Sequence, residues 1–381
     1  MTAEMTSRER VVAAMGRRDV DHVPFSPYFW DNTHPDAPWN DERGRLAYYV
    51  RRGWDGRVFC SPVITMDPQV RVEFDYEKHG DVTVLHQVWR TPARTIEERL
   101  RVTDDWPEAA GRTTALWLEG DFRSPRYLEV PFKEPADLDA IPYLFPVERP
   151  RDFEAMRRGF RAAKALAREF GQPIFCYHVP AGDWLTYLYP PQEVVLRMVD
   201  QPEMMHRLVR LIHQAYTRRL EVLLELDVDV IMRRAIYETC DFFNPRIFAE
   251  SFAPLLAGEI DTVHLAGKVY MLEMMSGFQP LLPQMAKLPF DCLSFFDPVH
   301  GGLDPDLRHL SAALPGKSFR GGLSGPGHLR NGPGESIAAA VEHAFEAFGR
   351  RGFLLSHAGA FRSQWPWAHM EAIDRAWRRL R

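Results

Sequence analysis

Gly267-Lys268-Val269-Tyr270-Met271-Leu272-Glu273-Met274-Met275-Ser276-Gly277 reads as an apolar strand that stops on a carboxylate and then turns. Short apolar runs bounded by turn residues and separated by helical stretches are the mark of strands buried on both faces of a parallel sheet. The same unit recurs along the chain. Strands are predicted at Pro173–His178, Asp229–Arg233, Lys268–Glu273, Phe290–Phe295, Lys317–Gly321 and Gly352–Ser356. Helices at Arg151–Phe170, Pro191–Leu226, Pro245–Ala266, Asp304–Ala313 and Glu335–Phe348 separate them. Two earlier strands, at Val23–Tyr28 and Gly56–Cys60, bring the set to eight. The alternation predicts an α/β fold, a (β/α)8 TIM-type barrel built by right-handed crossovers, with an open doubly wound sheet as the alternative.

Before this rhythm begins, Thr6-Ser7-Arg8-Glu9 is a capping box that opens a helix through Met15, and a second helix is expected around Arg45 to Arg52. The texture then changes to alternating, β-branched segments at Val70–Tyr76, Val82–Thr91 and Thr113–Val130, with His79-Gly80-Asp81 as a turn signal. Residues 68–132 are therefore expected to form an antiparallel β-hairpin insertion within one domain spanning 1–381.

A chain of 381 residues with 45% hydrophobic content can bury a large core. Its net charge of -5 and scattered Lys and Arg argue against nucleic-acid binding. No apolar run reaches the roughly 18 to 20 residues needed to span a bilayer, and the first residues lack a signal-peptide segment. The expected location is the cytoplasm. Cys60, Cys176, Cys240 and Cys292 stand singly, as buried thiols in a reducing compartment would. Aromatic clusters at Tyr28-Phe29-Trp30, at Trp184 with Tyr187 and Tyr189, and at Trp365 with Trp367 are expected to close the core rim or line a pocket.

Several short motifs carry a family resemblance. Thr6-Ser7-Arg8-Glu9-Arg10-Val11-Val12-Ala13-Ala14-Met15 followed by Asp21-His22-Val23-Pro24-Phe25 resembles the start of the uroporphyrinogen decarboxylase superfamily. Phe243-Asn244-Pro245, His264-Leu265-Ala266-Gly267, Phe290-Asp291-Cys292, Arg320-Gly321-Gly322-Leu323 and Phe353-Leu354-Leu355-Ser356 extend it. The resemblance implies the same barrel, and it allows a homodimer, since the superfamily includes dimers. Its methyltransferase branch implies zinc held by a His-x-Cys-Gly turn after the fifth strand and a Cys after the eighth, with a corrinoid protein as partner. Here those places read Glu273-Met274-Met275-Ser276-Gly277 and Ser356-His357-Ala358-Gly359, without thiolates. Its decarboxylase branch implies an Arg-Gln-Ala-Gly-Arg segment, where this chain has Pro27-Tyr28-Phe29-Trp30-Asp31-Asn32.

In such a barrel the working residues sit at the carboxyl ends of strands. That rule selects Tyr28, Asp31, His34, Tyr177, His178, Asp183, Arg233, Arg234, Tyr237, Glu238, Glu273, Asp297, His300 and His357, and the aromatic loop after the first strand adds Trp30. Glu273, in an apolar mouth, should have a raised pKa suited to proton transfer, unless Arg233 or Arg234 pairs with it. Successive strand residues face opposite ways, so one of the two arginines is expected to reach the mouth and bind an anion. His300 and His357 are candidate acid/base partners, with Tyr237 beside them. Tyr28, Trp30, His178 and Asp297 are candidate substrate contacts. Gly321-Gly322-Leu323-Ser324-Gly325-Pro326-Gly327 could wrap an anion through its amides.

The leading expectation is a metal-independent carbon–carbon lyase, most simply a decarboxylase, acting on a small acidic, aromatic substrate and needing no cofactor. The first alternative is corrinoid-linked methyl transfer with zinc or another divalent metal, for which Glu273, His300 and His357 would be the ligands. The second is a non-catalytic binding protein on the same barrel.

Overall fold

The computed structural model describes residues 4–29, 34–102, 126–179, 181–299, 307–362 and 364–381. They form two compact units, one of Met1–Pro62, Met156–His178 and Glu221–Arg381, the other of Val63–Ala155 and Val179–Leu220.

The first unit is built on seven parallel strands: β1 (Val58–Cys60), β6 (Ile174–His178), β7 (Val230–Arg234), β8 (Val269–Glu273), β9 (Cys292–Ser294), β10 (Ser318–Leu323) and β11 (Phe353–His357), in that spatial order. The eighth expected strand, Val23–Tyr28, joins by single bridges. Ser26 N donates to Leu355 O of β11, and Phe25 O accepts from Asp55 N just ahead of β1. Val11, Ala14 and Met15 of the first helix pack with Phe175, Met232, Met271 and Leu354 in the core. That helix, Ser7–Met15, starts on the expected capping box: Thr6 Oγ1 accepts from Glu9 N, and Glu9 Oε2 accepts from Thr6 N.

The second unit carries the antiparallel sheet, β2 (Arg71–His79), β3 (Val82–Arg90), β4 (Thr95–Val102) and β5 (Tyr127–Glu129). His79 pairs with Val82 across a two-residue turn in which Gly80 takes φ +62°, as the turn signal required. β4 was not expected. Its inward face alternates Ile96, Glu98 and Leu100, and the central carboxylate hides the apolar period. Most of the expected segment 113–130 lies outside the described residues.

Three other expectations need correction. The helix expected over Pro191–Leu226 is two, Pro191–Asp200 and Pro202–Glu225, because Pro202 cannot donate within a continuous helix. The helix over Pro245–Ala266 contains a π turn at Phe248–Phe252 just before Pro254, which has no N–H to return to the preceding turn. Cys60 and Cys176 are bonded as a disulfide. Parallel pairing of β1 with β6 sets them opposite one another with Cα atoms 4.8 Å apart, within disulfide reach. Cys240 and Cys292 are free thiols. Among the described residues no helix is long and apolar enough to cross a membrane.

Gly321 and Gly322 lie inside β10 and serve packing. A Cβ on Gly321 would meet the Phe296 ring at 2.8 Å, and one on Gly322, which has φ +99°, would meet Ala344 Cβ at 2.7 Å. The amide of Gly327 is taken by Ser324 Oγ. The expected anion-wrapping loop is therefore a packed strand and its cap. Gly322→Ala combines strain with overpacking and should cost about 2–4 kcal/mol in urea unfolding; an unchanged midpoint would contradict this role.

Candidate active site

Strand register decides which side chains meet. Arg234 pairs with Glu273, Glu273 with Ser294, and Ser294 with Arg320, so these four residues form one row across β7, β8, β9 and β10. Residues level with one another in a parallel sheet project to the same face. The neighbouring residue Arg233 projects to the opposite face, where its guanidinium pairs with Glu259 of the helix Ala253–Leu265 and with Glu238. Tyr270 Oη donates to Glu259 at 2.7 Å, and His178 Nε2 lies 2.9 Å from the same carboxylate. Arg233 and His178, expected to contact substrate, are thus drawn into a fully buried charge network between sheet and helix. Such a network holds only while every partner stays in place.

On the inner face, Glu273 is 4% exposed. Burial raises its pKa above the ordinary glutamate value, against the pull of Arg57, Arg320 and Arg234 and a hydrogen bond from Ser294. Arg320, 1% exposed, donates to Ser294 Oγ at 3.1 Å and to Ser26 O at 2.9 Å. Burial, together with the like charge of Arg57, lowers its pKa to about 9. Arg57, just ahead of β1, points its guanidinium at the rings of Tyr28 (4.6 Å to the centroid) and Phe59 (4.8 Å). Tyr28 Oη and Tyr177 Oη are 3.2 Å apart, and Phe59 stacks on Tyr177 at 4.9 Å. Phe295, next after β9, has φ +72°, an uncommon conformation for a bulky residue, and its ring lies 6.4 Å from that of Tyr28. Tyr28, Phe59, Tyr177, Arg234 and Phe295 are only partly buried, so the open end of this polar row has aromatic walls.

His357 ends β11, but it is not placed as an acid/base group. Its Nδ1–H donates to Gly359 O at 3.0 Å, and its Nε2 accepts from Tyr28 N at 3.3 Å. Burial and the charges of Arg320 and Arg57 pull its pKa down to about 3. The ring is a neutral strut that fixes the Tyr28 backbone. Asp297 is buried and shapes its own loop, accepting from Val299 N and Ser324 Oγ. Tyr237 is partly buried beside Phe242, with ring centroids 5.3 Å apart. Trp30, Asp31 and His300 lie outside the described residues.

Arg57, Ser294 and Arg320 were not selected from the sequence. The available signal was an arginine set directly against an apolar run, in Arg57-Val58-Phe59-Cys60 and in Ser318-Phe319-Arg320-Gly321. A charge in such a place is costly unless it is used.

Polar side chains gathered at the carboxyl ends of parallel strands are the layout of α/β proteins that work on small molecules. Residues 114–380 match the family described as uroporphyrinogen decarboxylase (URO-D), and the chain belongs to this family. A methyltransferase from Methanosarcina mazei has a similar structure over 99% of both chains, with a TM-score of 0.64 at 15% identity, which is a likeness of fold. A B12-independent methionine synthase from Shewanella sp. W3-18-1 is similar over 57% of this chain and 64% of its own, at 11% identity and a TM-score of 0.40. No curated protein sequence matches the chain.

The zinc site of the methyltransferase branch can be tested against these residues. Glu273 sits in the field of three guanidinium groups, which would repel a dication. His357 has no free lone pair, since Nε2 already accepts and Nδ1 carries the proton. Met275 offers a thioether where a thiolate would be needed. Among the described residues, no three His, Cys, Asp or Glu side chains converge as a ligand set. Glu273 and His357 do not fit a zinc ion.

The His357 geometry sets a pH dependence. Folded, the ring stays neutral down to about pH 3, while an unfolded histidine titrates near 6.5. Between these values the unfolded chain binds the extra proton, so this contribution is fully present above pH 6.5 and is lost as pH falls through the window. Urea unfolding at pH 4 to 7 should show a steeper acid loss for the wild type than for His357→Gln. Equal slopes would mean that the imidazole is not held neutral.

Proposed function

We propose that this protein is a proton-transferring carbon–carbon lyase, most simply a decarboxylase, acting on a small acidic, aromatic substrate at the carboxyl end of the parallel sheet. The observation that carries this reading is Glu273, a buried carboxyl with a raised pKa, set in one row with Arg234, Ser294 and Arg320. We take the bridges of Phe25 and Phe29 to β11 and its following loop as the closure of this sheet into a (β/α)8 barrel.

The chemistry follows from charge. A carboxyl whose pKa is raised by burial keeps its proton longer as pH rises and can act as a general acid. In the proposed step the bond between the substrate carbon and its carboxylate breaks, carbon dioxide leaves, and the electron pair stays on the carbon. Arg234 and Arg320 stabilise the charge that develops there, fixed in place by strand register rather than recruited during the reaction. Glu273 then delivers its proton to the carbon, becomes a carboxylate, and is reprotonated from water. Phe59, Tyr177 and Phe295 offer flat apolar surface to a ring, and that surface favours an aromatic substrate over a sugar-like one.

Glu273→Gln keeps the shape and removes the proton donor. It should lower kcat by about 10²- to 10⁴-fold while leaving ligand affinity within a few-fold of wild type. Because the protonated form is the active one, wild-type kcat/KM should fall as pH rises through the raised Glu273 pKa. Steady-state kinetics across pH on a panel of aromatic carboxylic acids, with carbon dioxide release as the readout, tests both. Undiminished turnover in Glu273→Gln would remove the residue from the mechanism.

A further inference from the structure

We infer that Arg57 is the anchor for a planar carboxylate on the ligand, gripped edge-on between aromatic rings. Arg57 is 3% exposed, yet its Nε and Nη1 are buried without a hydrogen-bond partner among the described residues. A buried guanidinium with idle donors is among the most expensive arrangements a protein can hold, and it persists where a ligand completes it. Among the described residues, Arg57 makes no ion pair of the kind Arg233 makes with Glu238 and Glu259.

The surroundings define what can bind. The rings of Tyr28 and Phe59 lie close to the guanidinium, at 4.6 and 4.8 Å, with Phe175 at 5.6 Å, a cation–π arrangement that favours approach in the guanidinium plane. The two idle nitrogens lie on different edges of that plane, each sharing an edge with Nη2, so a carboxylate that takes Nη2 together with either of them meets two adjacent N–H groups, a fit that a tetrahedral anion makes less well. Arg320 is different, because its nitrogens already donate to Ser26 and Ser294. It adds positive field rather than open donors, and with Arg57 and Arg234 it leaves an excess of positive charge around Glu273.

One consequence rests on the proposed lyase reading. A carboxylate held bidentately by a guanidinium is stabilised in the ground state and resists loss of carbon dioxide. The group anchored on Arg57 is then the one retained, and the substrate carries a second acidic group that departs beside Glu273.

The test is isothermal titration of the purified chain with benzoate, isophthalate and inorganic phosphate, in wild type, Arg57→Gln, Arg57→Lys and Glu273→Gln. The expected result is benzoate binding in wild type and Glu273→Gln, isophthalate binding more tightly, and phosphate binding weakly. Arg57→Gln should lose roughly tenfold or more in benzoate affinity, with Arg57→Lys in between, because lysine keeps the charge and loses the fork. Thermal unfolding guards against a folding artefact: without ligand, Arg57→Gln should melt at or above the wild-type temperature, since it relieves an unpaired buried charge. Benzoate affinity unchanged in Arg57→Gln, or no benzoate binding in wild type at millimolar concentration, would overturn the anchor. Binding that depends on Arg57 alongside absent decarboxylation would keep the anchor and discard the lyase.

Discussion

Everything at the open end of the sheet depends on the register of four adjacent parallel strands. Because Arg234, Glu273, Ser294 and Arg320 stand level, they must share a face, and their neighbours must share the other. The inner row mixes cationic and carboxyl groups, with Arg234 partly buried and the other three buried. The outer side receives Arg233, whose two terminal nitrogens pair with Glu259 and Glu238. One residue of slip in β7 would exchange the two arginines, leaving Glu238 and Glu259 buried without their cation.

Electrostatics inside this frame are unequal. Arg57, Arg320 and Arg234 all act on Glu273, whose burial favours its neutral form. Burial, with the like charge of Arg57 beside it, takes part of the basicity of Arg320. His357 stays neutral in the same field. A region with this balance favours an anion over a dication, and the poor fit for zinc follows from the same cause. The chain belongs to the family and shares its parallel strands, and membership in a fold does not by itself fix the chemistry at the strand ends.

Much of the fold was legible because buried parallel strands leave uninterrupted apolar runs, and all six strands expected after residue 150 exist within a few residues of their expected ends. Glu273 was legible for the same reason, as the carboxylate that stops such a run. What escaped the sequence depended on pairing between distant segments. Whether Arg233 or Arg234 faced inward was a matter of register. The meeting of Cys60 with Cys176 joins residues 116 apart. Arg57 escaped because it lies just ahead of its strand and is brought beside Tyr28 only by the fold. His357 looked like a catalytic base by position, and only the two backbone groups that bind its ring show otherwise.

The central claim is that a proton resides on Glu273 where an ordinary glutamate would have lost it. Infrared difference spectroscopy, comparing wild type with Glu273→Gln in the ligand-free state across pH, observes that proton directly. The account predicts a protonated-carboxyl band, absent from the variant, that persists above the ordinary glutamate value of 4.5. If wild type and variant show the same carboxyl signal above that pH, Glu273 is ionised and the proton-donor reading of this site is wrong.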